Sequence, residues 1–223
     1  MNDVVHEGTV VQTGKESRSE LTFSDETVVR LAAQTAVNFN HGTRGLSLSE
    51  GAVLIQAPKG ARGATIRAGS VAAAVAGTTV MIEYHPGLYK LLVLEGTGRL
   101  YRPGHLGDSV LVSAGQMVIG TPDAAVSEPV DVDIDRFLKT SGLIKDFPPL
   151  HNEKSIVAES QKQQRERSNK TLVGTNMVIF GGGTQVSVTD QGEADTVDHK
   201  SAALVTPPHR LPTFSPNAAP ALP

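Results

Sequence analysis

The 223-residue chain has no cysteine and no tryptophan, only three tyrosines and six phenylalanines, and little net charge. Without cysteine there is no disulfide frame, no thiolate nucleophile and no Cys-ligated zinc. A formal charge of −3 and a sequence pI near 6.2 supply no basic field to track a phosphate backbone, and the scarce aromatics offer few stacking platforms. Nucleic acid is therefore not an expected partner. No stretch reaches the roughly 18 apolar residues of a spanning helix, so no membrane segment is expected. The opening residues, MNDVVHEGTVVQTG, lack the basic and apolar regions of a signal peptide. Yet Val4 to Val11 reads as strand almost from Met1, which predicts a fragment or a misplaced start, with a signal peptide upstream.

What is present is repetition. Glu-Gly recurs at Glu7-Gly8, Glu50-Gly51 and Glu95-Gly96, and each pair precedes a strand-like run, a turn-rich segment and a second run. Pro58-Lys59-Gly60, Pro103-Gly104 and Thr13-Gly14 are turns on their residue types. Between turns lie short runs rich in β-branched and apolar residues, such as Leu88–Leu94 and Ser109–Ser113, and these predict strands. Ser19–Phe23 and Thr27–Leu31, joined by Ser24-Asp25-Glu26, predict a hairpin, and Thr65-Ile66-Arg67 leads into a turn at Ala68-Gly69. Val71–Ala76 is alanine-rich, but its six residues between Gly69 and Gly77 predict a small-residue strand rather than a helix.

From about residue 130 the period changes. Ile134, Phe137 and Leu138 form the stripe of a short amphipathic helix within residues 132–143. Residues 152–169 begin with an Asn and continue as a polar run, predicting a solvated helix with little apolar face, detached from the body. Residues 171–190 predict one or two short strands around Gly181-Gly182-Gly183. Residues 191–223, rich in Pro, Ala and Ser, predict disorder.

Candidate chemistry is sparse. The seven histidines, at 6, 41, 85, 105, 151, 199 and 209, show no ligand spacing, so no metal is expected. His105, Asp108 and Ser109 lie close in sequence but flank a Pro-Gly turn with no nucleophile elbow. Neither Gly181-Gly182-Gly183 nor the glycines at 60 and 63 precede a Lys-Ser/Thr pair or a helix, which excludes a phosphate loop. No catalytic residue and no cofactor follow from the sequence. Tyr84, Tyr89 and Tyr101 could form a ligand-binding patch if they shared a face. The rival readings are thus a carbohydrate- or small-molecule-binding β domain, cupin-like, or a metal-dependent cupin bringing His85 and His105 together.

One ordered set of short motifs carries more information than any of these. It runs Thr13-Gly14, Ser17-Arg18, Leu21, Phe23, Asp25, Thr27, then Gly77-Thr78-Thr79, Leu94-Glu95-Gly96 and Ala114-Gly115-Gln116. In this order the motifs resemble the FecR domain, over residues 8–120 approximately. The resemblance implies an all-β, non-enzymatic module acting outside the cytoplasmic membrane through a protein partner, with the motif residues in structural roles. Well-known members pass a signal from an outer-membrane receptor to a cytoplasmic sigma factor. This sequence departs from them in showing no sigma-binding segment and no membrane helix, so a sensory or scaffolding interaction module in the periplasm is the expectation. Physically, Gly77, Gly96 and Gly115 suit successive corners, and Thr78 and Thr79 suit a strand edge.

The expected fold is all-β, a solenoid-like or sandwich stack of short strands followed by one or two helices and a disordered tail. Its divisions are residues 1–128 as the FecR-like domain, 129–170 as a helical extension, 171–190 as a short β segment and 191–223 as the tail.

Overall fold

The computed structural model describes residues 8–40, 45–61, 63–166, 177–180 and 184–187. The strand expected from Val4 is therefore seen only from Val10, and the tail expected over 191–223 lies outside the described residues. The elements are β1 (Val10–Gln12), β2 (Ser19–Thr22), β3 (Val28–Leu31), β4 (Ala36–Phe39), β5 (Gly45–Gln56), β6 (Ala64–Ala68), β7 (Val71–Val75), β8 (Thr79–His85) and β9 (Leu88–Glu95). They continue with β10 (Thr97–Tyr101), β11 (Ser109–Ser113), β12 (Gln116–Gly120) and β13 (Val130–Asp131). Helices α1 (Ile134–Thr140), α2 (Gly142–Lys145) and α3 (Glu153–Glu166) follow, and then β14 (Met177–Phe180) and β15 (Thr184–Ser187).

The first thirteen strands form one curled sheet folded into two layers, so the all-β expectation holds and its sandwich form prevails. One layer runs β1-β4-β5-β6-β7-β10-β11 and the other β2-β3-β5-β8-β9-β12-β13. Only β5 belongs to both. Its first half pairs with β4 and, in parallel, with β6, and its second half pairs with β3 and β8. Every other pairing in the sheet is antiparallel. The dipeptide Glu50-Gly51, expected to precede a strand-like run, lies inside this continuous strand.

The inner faces of the two layers interdigitate Val37, Leu48, Ile66 and Leu100 from one with Leu31, Val53, Ile82, Leu91 and Val118 from the other. A second core lies on the far face of the β8–β9 layer, where Leu54, Met81, Leu92 and Met117 meet Ile134, Phe137, Leu143, Leu150 and Ile156. That layer is thus covered on both faces. The opposite layer keeps one face in solvent, with alternating burial in β4 and β10. We call them the covered and the open layer.

Local sequence explains these elements. The two-residue Pro86-Gly87 loop sets the β8–β9 register, with His85 opposite Leu88. The alanines of β7 let neighbouring backbones approach, and Ala72 and Ala73 are wholly buried. The Asp133 side chain caps α1 by accepting from the Arg136 N–H at 3.0 Å, and Ser141 separates α1 from the short α2. The α3 helix is not detached. Ile156 and Ser160 are buried, and Gln163 donates to the Val132 carbonyl at 2.5 Å. The short β segment expected after residue 170 is the β14–β15 hairpin, which forms a two-stranded sheet of its own.

Candidate functional site

Most of the motif residues sit where the chain crosses between layers. The β1–β2 loop contains Gly14 and Ser17, and the Gly14 carbonyl accepts from both the Gln34 and the Ser17 N–H groups. Its neighbour Thr13 donates its hydroxyl to the Ala32 carbonyl at 2.6 Å and accepts the Thr35 N–H at 2.9 Å. Thr35 in turn bridges to Ala52 within β5. Gly51 has φ +94°, and a Cβ there would lie 2.6 Å from the Thr35 Cα, so only glycine lets these crossings stack.

A second group of crossings lies at the other end of the covered layer. Gly77, Gly96 and Gly115 connect β7 to β8, β9 to β10, and β11 to β12. The Ala114 N–H donates to Gly96 and the Gly115 N–H to Val93. At Gly96, φ is +78° and a Cβ would come within 2.8 Å of the Thr78 methyl. Thr78 and Thr79 are buried in and beside a central strand, not at an edge as expected. Gln116 accepts from the Ser113 N–H at 3.0 Å and donates to Asp131.

The remaining motif residues form the β2–β3 hairpin and its ties. Asp25 accepts from both the backbone N–H and the hydroxyl of Thr27, fixing the turn. Leu21 packs against the inter-layer core, and half-exposed Phe23 lies 5.5 Å from the Phe39 ring. Arg18 reaches Asp146 at the end of α2, 3.0 Å away.

The polar groups that sequence reasoning missed lie on the helix-covered face. Buried Arg30 on β3 donates to the Leu143 carbonyl at 2.9 Å, the Pro148 carbonyl at 2.5 Å and the Glu20 carboxylate at 2.8 Å. Its guanidinium also lies 4.9 Å from the Phe147 ring centroid. Beside it the helices enclose a pocket of about 280 Å³, lined by Arg30, Leu138, Ile144, Phe147, Leu150 and Ile156. The Asn152 side chain does not cap α3. It donates to the Thr79 hydroxyl at 2.5 Å and to Glu95, tying the helix layer to the second group of crossings.

Farther along, Glu83 and Lys90 form a buried ion pair at 2.5 Å, with His85 3.1 Å from the same carboxylate. Burial pushes the Glu83 carboxyl up, but Lys90 beside it and hydrogen bonds from His85 and Lys90 outweigh this and hold it below the ordinary range. The hydrogen bond to Glu83 raises the His85 imidazole despite burial, with Glu83 and Glu50 adding to the effect through their charge. The pair was legible in principle, because counting outward from Pro86-Gly87 places residues 83 and 90 opposite one another.

The rival sites do not assemble as a unit. Tyr89 lies wholly within the inter-layer core, and burial, with Asp108 nearby, raises its phenol. Tyr84 packs at that core's margin, and Tyr101 is half-buried on the open layer. His85 bonds to Glu83, whereas His105 contacts the Pro103 carbonyl in the β10–β11 loop. Asp108 pairs with Arg102 at 3.1 Å and accepts the Val126 N–H, while Ser109 accepts from Arg99. Among the described residues no group of three metal-ligating side chains is placed to hold an ion, and no helix is long and apolar enough to cross a membrane.

Comparison with known proteins supports the motif reading. No curated protein sequence matches the chain. Two crystal structures from Parabacteroides distasonis ATCC 8503, at 1.65 and 2.50 Å resolution and each provisionally described as an anti-sigma factor, align in part with the chain. Both give a TM-score of 0.49, with 15% and 14% sequence identity, and the alignment covers 59% of this chain and 65% of theirs. The chain therefore spans less than two thirds of those structures. A family model described as FecR protein matches residues 9–97, from β1 to the start of β10. Over those residues the chain is similar to the FecR family, which its ordered motifs also resemble.

Proposed function

We propose that this chain is a non-enzymatic regulatory or sensory module of the bacterial cell envelope, working in the periplasm by binding another protein. The observation that carries this reading is the FecR match over β1 to β10. The motif residues within and just beyond it turn corners, pack the core or tie the helices down, and none converges on a pocket with a second reactive group. Their role in this reading is to hold a rigid double-layered body whose surface does the recognising. Residues 1–128 are the FecR-like module and residues 129–170 its helical cover.

The test has two arms in the source bacterium. Deleting the gene should change the transcript levels of a restricted gene set, and complementation should restore them. The protein should also resist added protease in intact cells and be cut once the outer envelope is permeabilised. An unchanged transcriptome would remove the regulatory reading, and protection that persists until the cytoplasm is opened would remove the periplasmic one.

A further inference from the structure

In the open layer β11 pairs with β10 on one side and with no other strand among the described residues. Just beyond that pairing, the Arg102 N–H donates to Asp108 at one end and the Ala114 N–H to Gly96 at the other. Stepping inward by twos, the hydrogen-bonded positions are Val110 and Val112, so Ser109, Leu111 and Ser113 turn their backbone groups away from β10. Local contacts occupy two of the three outward donors, Ser109 to the Gly107 carbonyl and Ser113 to the Gln116 side chain. The Leu111 N–H and the outward carbonyls remain as a template for another strand. The rim beside them is apolar, since Leu111 is 54% exposed and Leu106 is fully exposed.

The same chain holds a second sheet of only two strands. The β14–β15 hairpin has four residues per strand and, among the described residues, pairs with no further strand, which is too little to be stable alone in water. Its first strand, Met-Val-Ile-Phe, is apolar and β-favouring. The end of α3 lies close to the end of β11. Gln163 donates to the Gly115 carbonyl at the end of β11, and Glu166, the last residue of α3, lines the same small cavity as Ala114 and Gly115. From Glu166 to Met177 an extended chain spans at most roughly 35–40 Å, about twice the length of β11.

We propose that the β14–β15 hairpin docks on the open edge of β11, with β14 antiparallel to it and Met177 at the Ser113 end. The open layer then gains two strands, and the exposed leucines of its rim are covered.

The lack of native cysteine makes the test direct. Full-length chains carrying Leu111→Cys with either Val178→Cys or Ile179→Cys are oxidised at low protein concentration. Docking predicts that one of these pairs closes an intramolecular disulfide at least about tenfold faster than Val10→Cys paired with the same hairpin cysteine. Val10 is the control because it is 61% exposed on β1, the opposite edge of the same layer. In the unmodified chain the Leu111 amide should exchange at least about tenfold more slowly than in an Ile179→Pro variant. Equal closure rates with an unprotected Leu111 amide overturn the proposal. A disulfide joining two copies overturns it in favour of strand exchange between molecules.

Discussion

The open and covered layers are built from the same short antiparallel strands, yet they solve different problems. The open layer turns one face largely to solvent, so β10 alternates exposed and buried residues. In the covered layer β9 is buried at every position, because the helices close the face turned away from the sandwich. This second face is not simply apolar. It hides Arg30, Glu83 and Lys90, each satisfied by a partner brought from a neighbouring strand or from the α2–α3 segment. Burial on both sides makes these charges costly to leave unpaired, whereas the same residue types on the open layer remain hydrated.

The largest expected effect comes from substituting equivalent arginines on the two layers. Arg30→Ala strands the Leu143 and Pro148 carbonyls beneath the helices and removes the partner of exposed Glu20, and should lower stability by about 4 kcal/mol in urea unfolding. Arg99→Ala, on the exposed face of β10 where the guanidinium donates to Ser109, should cost no more than about 0.5 kcal/mol. Equal costs would break the distinction.

Next comes the ion pair. Glu83→Gln leaves Lys90 buried without its counter-charge and should cost about 3 kcal/mol near neutral pH, most of it recovered by Glu83→Gln with Lys90→Met. The pH dependence has a definite sign. The Glu83 carboxyl is held low, so its contribution is present above the ordinary carboxylate value and is lost as pH falls through the lowered one. The His85 imidazole is held high, so its contribution is present below the ordinary imidazole value and is lost as pH rises through the raised one. Unfolding free energies should fall on both sides of a mildly acidic plateau, below the ordinary carboxylate value and above the ordinary imidazole value, and Glu83→Gln should flatten both flanks.

The smallest contrast lies between the crossings and an ordinary turn. Gly96→Ala meets both a positive φ and the Thr78 methyl and should cost about 2 kcal/mol by thermal unfolding. Gly104→Ala in the β10–β11 loop faces open space and should cost about 1 kcal/mol, from backbone strain alone.

The same contrast explains what could be read from sequence. The strands announce themselves through their turns, and the Ala-rich β7 reads correctly because six residues between glycines are too few for a helix. The helix layer is harder to read. On α3 the docked positions are Ile156, Ser160 and Gln163, a helical spacing in which only one member is hydrophobic, so hydropathy reports a solvated helix. Arg30 lies inside VVRL, where alternation suggests an outward-facing residue. It faces outward from the sandwich, but a third layer is waiting there. Thr78 and Thr79 mislead for a related reason, since β-branched hydroxyl residues suit an edge equally well as a buried strand tied to Asn152.

The shared strand β5 has a consequence for cooperativity. Because β3, β4, β6 and β8 all pair with this one strand, neither layer can separate from its neighbours without pulling on a segment that the other layer also holds. The two layers should therefore melt as one unit. Amides in the middle of β5 should exchange with solvent only through global unfolding.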